Sequence, residues 1–224
     1  MAIVDSRIVG QSRSSKLFYA CVRVLVSGLC RSLLRLRVVG LENVPKTGAF
    51  VFAPTHRSTI DIPVASAATR RRMRFMGKDS IWKIKIIGKT MSALGAFPVT
   101  RGSADLEALK RCIAVLNGGE PLVMFPEGTR HFGPEVQPLF DGAAYVAFKT
   151  GVPIIPAGIS GTEDVMRSGS KIIRFKKCRM VIGKPLTAEV PDGGRASREQ
   201  IAELTLTLQV ELQKLLDEAN RLIS

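Results

Sequence analysis

The sequence predicts an α/β domain with a mixed, largely parallel central sheet flanked by helices. Short apolar segments typical of buried strands alternate along the chain with longer segments of helical periodicity. The strand-like segments are residues 49–55, 73–77, 96–100, 121–126, 153–159 and 179–183. Helices are predicted at about residues 80–94, 104–117, 142–150 and 197–223. Since 46% of the 224 residues are hydrophobic, the chain can bury a sizeable core, and extensive disorder is excluded.

The N-terminal part of the chain predicts a helix that lies on a membrane surface. Residues 16–37 are strongly apolar, but Arg23, Arg31 and Arg35 interrupt them. A spanning helix needs about 20 mostly apolar residues and tolerates interior charge poorly, so an interfacial amphipathic helix fits better. The alternative is a helix packed on the protein's own core. We therefore divide the chain into an N-terminal interfacial helical segment, residues 1–35, and an α/β domain with a C-terminal amphipathic helix, residues 36–224.

The charge of the chain indicates an anionic partner. Thirty-three Lys and Arg against 19 Asp and Glu give a net charge of +14, which favours nucleic acid or an anionic membrane. Two Tyr and one Trp offer few rings for stacking bases, so we expect no nucleic-acid partner. Cations within residues 70–74 and at 83, 85 and 89 stand beside apolar residues, which favours the membrane. A merely solvated basic face would explain the charge but not this pairing.

The cysteine and histidine content argues against a disulfide framework or a metal site. The four cysteines form no CxxC pair, which is typical of reduced thiols in a cytoplasmic setting. Two histidines without an HExxH sequence give no metal-ligand set, so we expect no metal. The chain also contains neither a GxSxG nucleophile sequence nor a phosphate-binding GxxxxGK[ST] sequence.

His56 and Asp61 are the first candidates for chemistry. His56 follows the strand-like segment 49–55, and open α/β folds usually bind ligands at the carboxyl ends of their strands. On a continuous helix, residues five apart point about 140° away from each other, so a contact requires a turn that leads into a helix near Asp61. If the side chains touch, the imidazole can take a proton while the carboxylate fixes its tautomer. The alternative is a structural histidine and a helix-capping aspartate.

A second set of candidates suits a phosphate group. The segment FPEGTR, residues 125–130, follows another strand-like segment and carries a glycine, a hydroxyl and a guanidinium, in Gly128, Thr129 and Arg130. Glycine lets backbone N–H groups approach a ligand, and Arg recognises phosphate through two parallel hydrogen bonds. Arg101 and Lys78 end two further strand-like segments, so three cations could converge on one anion site. The alternative is a tight turn with a weak surface ion pair between Glu127 and Arg130.

Taken together, these sequences resemble the glycerolipid acyltransferase family, in particular the 1-acyl-sn-glycerol-3-phosphate acyltransferases. The resemblance covers about residues 36–186 and consists of four blocks in the family's order. HRSTID (56–61) resembles the HxxxxD block, GAFPVTR (95–101) the second, FPEGTR (125–130) the third and VPIIPAGI (152–159) the fourth. Four blocks in this order and spacing are highly specific. Two positions depart from the family pattern: Thr55 stands where Asn often precedes the histidine, and Asp-Ser-Ile follows Lys78.

The resemblance implies an acyl transfer from acyl-CoA or acyl carrier protein to the free 2-hydroxyl of lysophosphatidate, which forms phosphatidate without an acyl-enzyme and without a cofactor. His56 is then the general base, and Asp61 orients it. The implied substrate-binding residues are Lys78, Arg101, Glu127, Gly128, Thr129 and Arg130. Of these, Glu127 is expected to order the neighbouring cations.

The same resemblance implies partners and a location. The expected partners are an anionic membrane surface, the lysophospholipid acceptor and the acyl donor. The expected location is the cytoplasmic face of the cell membrane, with peripheral attachment. Glycerol 3-phosphate or another lysophospholipid is the alternative acceptor, and a non-catalytic basic membrane-binding protein is the alternative from a different class.

Overall fold

A seven-stranded sheet forms the centre of the computed structural model, which describes residues 10–99, 106–167, 169–170, 172–188 and 196–223. The strands are β1 (Arg37–Val39), β2 (Val51–Pro54), β3 (Arg74–Lys78), β4 (Ala96–Val99), β5 (Leu122–Val123), β6 (Ile154–Ser160) and β7 (Arg179–Ile182). Their order across the sheet is β1-β7-β6-β2-β5-β3-β4. Every described neighbour pair is parallel except β6 and β7. The prediction of a mixed, largely parallel sheet is therefore confirmed.

Helices cover both faces of this sheet. They are α1 (Arg13–Leu33), α2 (Asp61–Ala65), α3 (Lys85–Ala93), α4 (Leu106–Asn117), α5 (Gly142–Thr150), α6 (Thr162–Val165) and α7 (Arg198–Arg221). One predicted helix, residues 80–94, is divided into a 3-10 turn (Asp79–Lys83) and α3, because the extended backbone of Ile84 separates them. At the start of α7, Ser197 and Gln200 form a reciprocal capping box.

Alternating residues of the strands supply the two halves of the core. On β2, Phe52 faces a cluster that includes residues of α1 and α2, whereas Val51 and Ala53 face a cluster built with α4, α5 and α7. This period of two is the normal consequence of strand geometry. Helix α7 lies so close to β6 that a Cβ on Gly158 would stand 2.3 Å from the backbone carbon of Leu215. Only glycine at position 158 permits this contact.

Helix α1 is confirmed as a helix, and it packs on the core with one face only. Tyr19, Ser27 and Cys30 on that face are buried, and Cys30 belongs to the same core cluster as Phe52. The boundary predicted after residue 35 stays a prediction, but α1 is not detached from the sheet domain. Among the described residues, no helix is long and apolar enough to cross a bilayer.

Candidate active site

The carboxyl ends of four parallel strands deliver the candidate residues to one edge of the sheet. His56 follows β2, Glu127 follows β5, Lys78 ends β3, and Thr162 follows β6. Because β6, β2, β5 and β3 are consecutive and parallel in the sheet, these ends stand side by side. The site therefore lies where open α/β sheets usually bind ligands.

His56 and Asp61 are in direct contact. The turn after β2 reverses the chain, Asp61 becomes the first residue of α2, and its Oδ2 lies 2.9 Å from His56 Nδ1. Asp61 is fully buried and His56 is 6% exposed. An ionised carboxylate can only accept hydrogen bonds, so Nδ1 carries the proton and the lone pair is left on Nε2. Nε2 has no hydrogen-bond partner among the described residues, so it is free to accept a proton.

The carboxylate of Asp61 is held by three further donors. Its Oδ2 accepts hydrogen bonds from the backbone N–H groups of Arg57, at 2.6 Å, and Ser58, at 2.7 Å. Its Oδ1 accepts a short hydrogen bond from the Thr162 hydroxyl. These bonds compensate for the desolvation of a buried carboxylate. They also fix the direction in which it presents Oδ2 to His56.

Glu163, next to Thr162, adds a second acid close to Asp61. It is half-buried, and its Oε2 makes no hydrogen bond among the described residues. Burial raises the pKa of this carboxyl, and the nearby charges of Asp61 and Asp164 raise it further, against a lowering by Arg57. The site therefore contains two different acids: Asp61, whose oxygens accept several hydrogen bonds, and Glu163, which is poorly solvated.

Glu127 lies beneath the site and contacts the protein itself. Its Oε1 accepts the backbone N–H of His56 at 2.8 Å, and its Oε2 lies 3.6 Å from Nη1 of Arg57. Both side chains of this ion pair are about 1% exposed. The family resemblance implies that Glu127 orders neighbouring cations and helps to bind the substrate. The cation that it contacts is the buried Arg57, and its part in substrate binding stays a prediction.

Besides Glu127, the FPEGTR loop and the residue after it make two further contacts with His56. The N–H of His131 donates to the His56 carbonyl at 2.9 Å, and the rings of Phe125 and His56 stack with centroids 4.0 Å apart. Gly128 turns this loop with a φ of 70°, and a Cβ there would come within 2.6 Å of the Phe140 ring. The imidazole is thus fixed by Asp61 at its edge and by Phe125 on its face.

Three other predicted residues lie at the rim. Thr129 and Arg130 are exposed, and Nη1 of Arg130 donates to Thr59 Oγ1 at 2.8 Å, which places the guanidinium against the HRSTID loop. Lys78 is exposed at the end of β3, two strands from β2, or about 10 Å at the usual strand spacing. Arg101 lies outside the described residues. The convergence of Arg130 and Lys78 on one phosphate stays a prediction.

Two residues of the site, Arg57 and Thr162, were missed by the sequence reasoning, whereas Thr55 was noted without its contacts. Arg57 was not singled out, although a fully buried arginine is rare and indicates a paired internal charge. Thr162 could have been found from the rule that selected His56, since it also follows the carboxyl end of a strand. Thr55, at the position where the family often has Asn, bridges β2 to β6 by accepting from the N–H of Ile159 at 2.9 Å.

Two of the buried thiols, Cys178 and Cys30, are poorly suited to act as a nucleophile. Burial raises the pKa of the Cys178 thiol to about 12, and the pKa of the Cys30 thiol is also raised by burial. Both therefore remain protonated near neutral pH, and a protonated thiol is a poor nucleophile. All four cysteines are free. Among the described residues, no group of three or more His, Cys, Asp or Glu could hold a metal ion, and the metal-free reaction stays a prediction.

The fold and the site define an α/β protein with a buried His–Asp pair suited to activating a hydroxyl group. The Acyltransferase family model matches residues 35–160, which is more than half of the chain and includes both residues of the pair. A 1-acyl-sn-glycerol-3-phosphate acyltransferase of Bacillus subtilis is 30% identical over 192 residues, which cover 84% of this chain and 91% of that protein. The chain belongs to the Acyltransferase family.

Further relatives are consistent with this membership. The chloroplastic 1-acyl-sn-glycerol-3-phosphate acyltransferase of Brassica napus is 33% identical over 69% of this chain and 46% of its own length. The chain thus spans about half the length of this plant relative. The crystal structure of the 1-acyl-sn-glycerophosphate acyltransferase PlsC from Thermotoga maritima has a TM-score of 0.74 and 24% identity, and covers 93% of this chain and 83% of that one. This likeness supports the fold.

The buried position of Glu127 predicts a cost in stability when its charge is removed. Glu127→Gln should lower the free energy of unfolding by about 3–5 kcal/mol, because it leaves the Arg57 guanidinium buried without its counter-charge. Denaturant unfolding followed by circular dichroism measures this change. Glu107→Gln, which breaks an exposed pair with Lys110, is the control and should show no measurable change. Unchanged stability in Glu127→Gln, together with weaker acceptor binding, would instead support direct substrate binding by Glu127.

Proposed function

We propose that this protein transfers an acyl group from a thioester donor to the free 2-hydroxyl of lysophosphatidate and so forms phosphatidate. The observation that carries the proposal is the 2.9 Å contact between His56 Nδ1 and Asp61, which leaves His56 Nε2 as a base. The names of the relatives from Bacillus subtilis and Brassica napus support the acceptor. The donor is acyl-CoA or acyl carrier protein.

The reaction needs only one proton shuttle. His56 Nε2 takes the proton of the acceptor hydroxyl as its oxygen attacks the thioester carbonyl carbon. The tetrahedral intermediate collapses, the C–S bond breaks, and the imidazolium returns the proton to the departing thiolate. Asp61 stabilises the imidazolium between these steps and prevents the ring from turning. The ester forms directly, so no acyl-enzyme and no cofactor are required.

The phosphate of the acceptor is bound by cations at the rim of the site. Arg130 supports this step because its guanidinium contacts Thr59, three residues beyond His56 in the chain, and is exposed to a ligand. Lys78 ends β3, which lies two strands from β2 in the sheet, and Arg101 follows β4 in the sequence. Gly128 and Thr129, which precede Arg130 in the same loop, shape the pocket. An anion held here would place a neighbouring hydroxyl within reach of Nε2.

The protein works at an anionic membrane surface, where its lipid acceptor resides. The outward face of α1 supports this location, because it is apolar and faces away from the core: Leu17, Val24, Leu25 and Leu29 are 67%, 61%, 63% and 46% exposed. At the start of α3, the exposed Ile84, Ile86 and Ile87 lie among exposed lysines. Apolar faces flanked by cations suit peripheral attachment to an anionic leaflet. The cytoplasmic face is the side we propose.

The central test is acyl transfer by the purified protein with lysophosphatidate and acyl-CoA in detergent, followed by mass analysis of the product. His56→Ala should lower kcat by about 10²–10⁴-fold, because the acceptor hydroxyl loses its general base. His131→Ala keeps the backbone bond to His56 and should retain most of the activity. Full activity in His56→Ala would contradict the assignment of the base. If the wild-type protein turned over no combination of donor and acceptor, the proposed acyl transfer would be contradicted.

Arg130 should act mainly on acceptor binding. Arg130→Gln removes a charge-assisted hydrogen bond, so KM for lysophosphatidate should rise about 10- to 100-fold while kcat changes less. Arg198→Gln, at an exposed position on α7, is the matched control and should leave KM unchanged. Steady-state rates at varied acceptor concentration measure both. An equal rise in KM for monoacylglycerol, which lacks the phosphate, would refute a phosphate contact. Glycerol 3-phosphate and lysophosphatidylcholine complete the acceptor screen.

Membrane attachment should depend on the outward face of α1. Leu25→Glu with Leu29→Glu should weaken binding to phosphatidylglycerol-containing vesicles by about tenfold or more, because each leucine loses roughly 1.5–3 kcal/mol of apolar burial. Leu206→Glu with Val210→Glu on α7 changes equally exposed apolar residues and is the control. Co-sedimentation measures binding. Substitution is preferable to deletion of α1, since deletion would also remove Cys30 from the core. Equal binding by both pairs would exclude α1 as the anchor.

A further inference from the structure

A second concave site lies at the opposite edge of the sheet from the candidate active site. Lys46 precedes β2, and Arg70 and Arg71 precede β3, so they stand at the amino ends of two strands whose carboxyl ends lead to His56 and to Lys78. Arg23 and Arg31 of α1 line the same cavity, which has a volume of about 500 Å³. Neither the acyl-transfer mechanism nor the rim cations use any of these side chains.

The charge of this basic cavity is one-sided. Five cationic side chains line it, and no Asp or Glu is among its described lining residues. Nε of Arg23 is buried and has no hydrogen-bond partner among the described residues. Arg71 is fixed as a wall by the Pro45 carbonyl, at 3.1 Å, and by its position over the Phe50 ring. Like charges gathered in a concavity repel one another, and a bound anion removes that repulsion.

Apart from Thr69, the remaining lining of the basic cavity is apolar and suits a lipid better than a bare anion. Its apolar part comprises Leu41, Val44, Pro45, Ala67 and Ala68. A nucleotide would usually stack on an aromatic ring, and none is among the described lining residues. A phosphodiester with a glycerol unit matches both parts, because its charge meets the cations while its carbons meet the apolar surface. We propose that this cavity binds the headgroup of an anionic phospholipid, at a site distinct from the acceptor site.

The position of the basic cavity beside α1 supplies the source of this lipid. Arg31 lies about a quarter-turn around the helix from the centre of the exposed apolar stripe. If α1 lies in the leaflet as proposed above, the cavity opens at the height of the headgroups. Only the source of the lipid rests on that proposal. The affinity of the cavity for a headgroup can be measured without vesicles and without turnover, so failure of one proposal is distinguishable from failure of the other.

The test titrates short-chain, monomeric dihexanoyl-phosphatidylglycerol into the full-length Arg130→Gln protein, in which the acceptor site is weakened, and follows heat release. In that background, the combined change Arg31→Gln, Lys46→Gln and Arg70→Gln should reduce affinity about tenfold or more, since the anionic headgroup loses three of the five cations around it. All three are exposed and make no hydrogen bond with another described residue, so folding should be kept. The control carries Lys149→Gln, Lys184→Gln and Arg198→Gln, an equal loss of charge outside the cavity.

Each outcome bears on the basic cavity. The headgroup proposal is supported if the cavity variant loses binding while the control variant keeps it. It also requires that lysophosphatidate turnover stays unchanged when each triple change is made in the wild-type chain. Equal affinities of the two triple variants would overturn it. Equal affinity for inorganic phosphate would show a simple anion site and overturn the headgroup assignment. Equal affinity for dihexanoyl-phosphatidylcholine would show that net charge is not selected, and would overturn it as well.

Discussion

The buried carboxylate of Asp61 is the group on which the site depends. A carboxylate with no solvent exposure is costly unless its oxygens are satisfied. The donors that satisfy it come from the turn after β2, from the imidazole of His56 and from Thr162 after β6. One charge therefore holds together the ends of two adjacent strands and the start of α2. Because the same oxygen faces two backbone N–H groups and Nδ1, His56 cannot move without disturbing the turn.

The buried carboxylate of Glu127 is the second charge that holds the site in place. Glu127 joins the loop after β5 to the N–H of His56 and lies opposite the guanidinium of Arg57. Such a pair adds little net stability over an apolar substitute, but removal of either partner leaves the other charge buried. Its effect is to fix one arrangement of two loops. The rim residues Thr129 and Arg130 come two and three positions after Glu127, so the same pair that contacts the backbone of His56 also holds the loop that carries them.

Much of this arrangement could be predicted from the sequence because it follows from strand direction. Parallel strands bring their carboxyl ends to one edge, so HRSTID and FPEGTR, at the ends of two strand-like segments, were expected at the same edge of the sheet. The requirement of a turn between His56 and Asp61 followed from helix geometry. Strand β1 was missed because three residues, Arg37–Val39, show too few alternations to reveal a period. Arg57 was missed because an arginine in a sequence motif is read as exposed, and only tertiary contacts show its burial.

The sequence likewise could not show which apolar face of α1 packs on the core and which faces outward. Both sides of α1 are rich in apolar residues, and the structure shows that Tyr19 and Cys30 face the core while Leu25 and Leu29 face outward.

The orientation of α1 has a geometric consequence for the site. Helix α1 packs on α2, which begins at Asp61. Packed helices lie about 8–10 Å apart, so an α1 embedded at the leaflet surface would hold the His–Asp pair roughly one helix layer above it. A lysophospholipid could then raise its glycerol hydroxyl to His56 while its acyl chain remains among the lipids. In that arrangement, the reaction would need no lipid to leave the membrane completely.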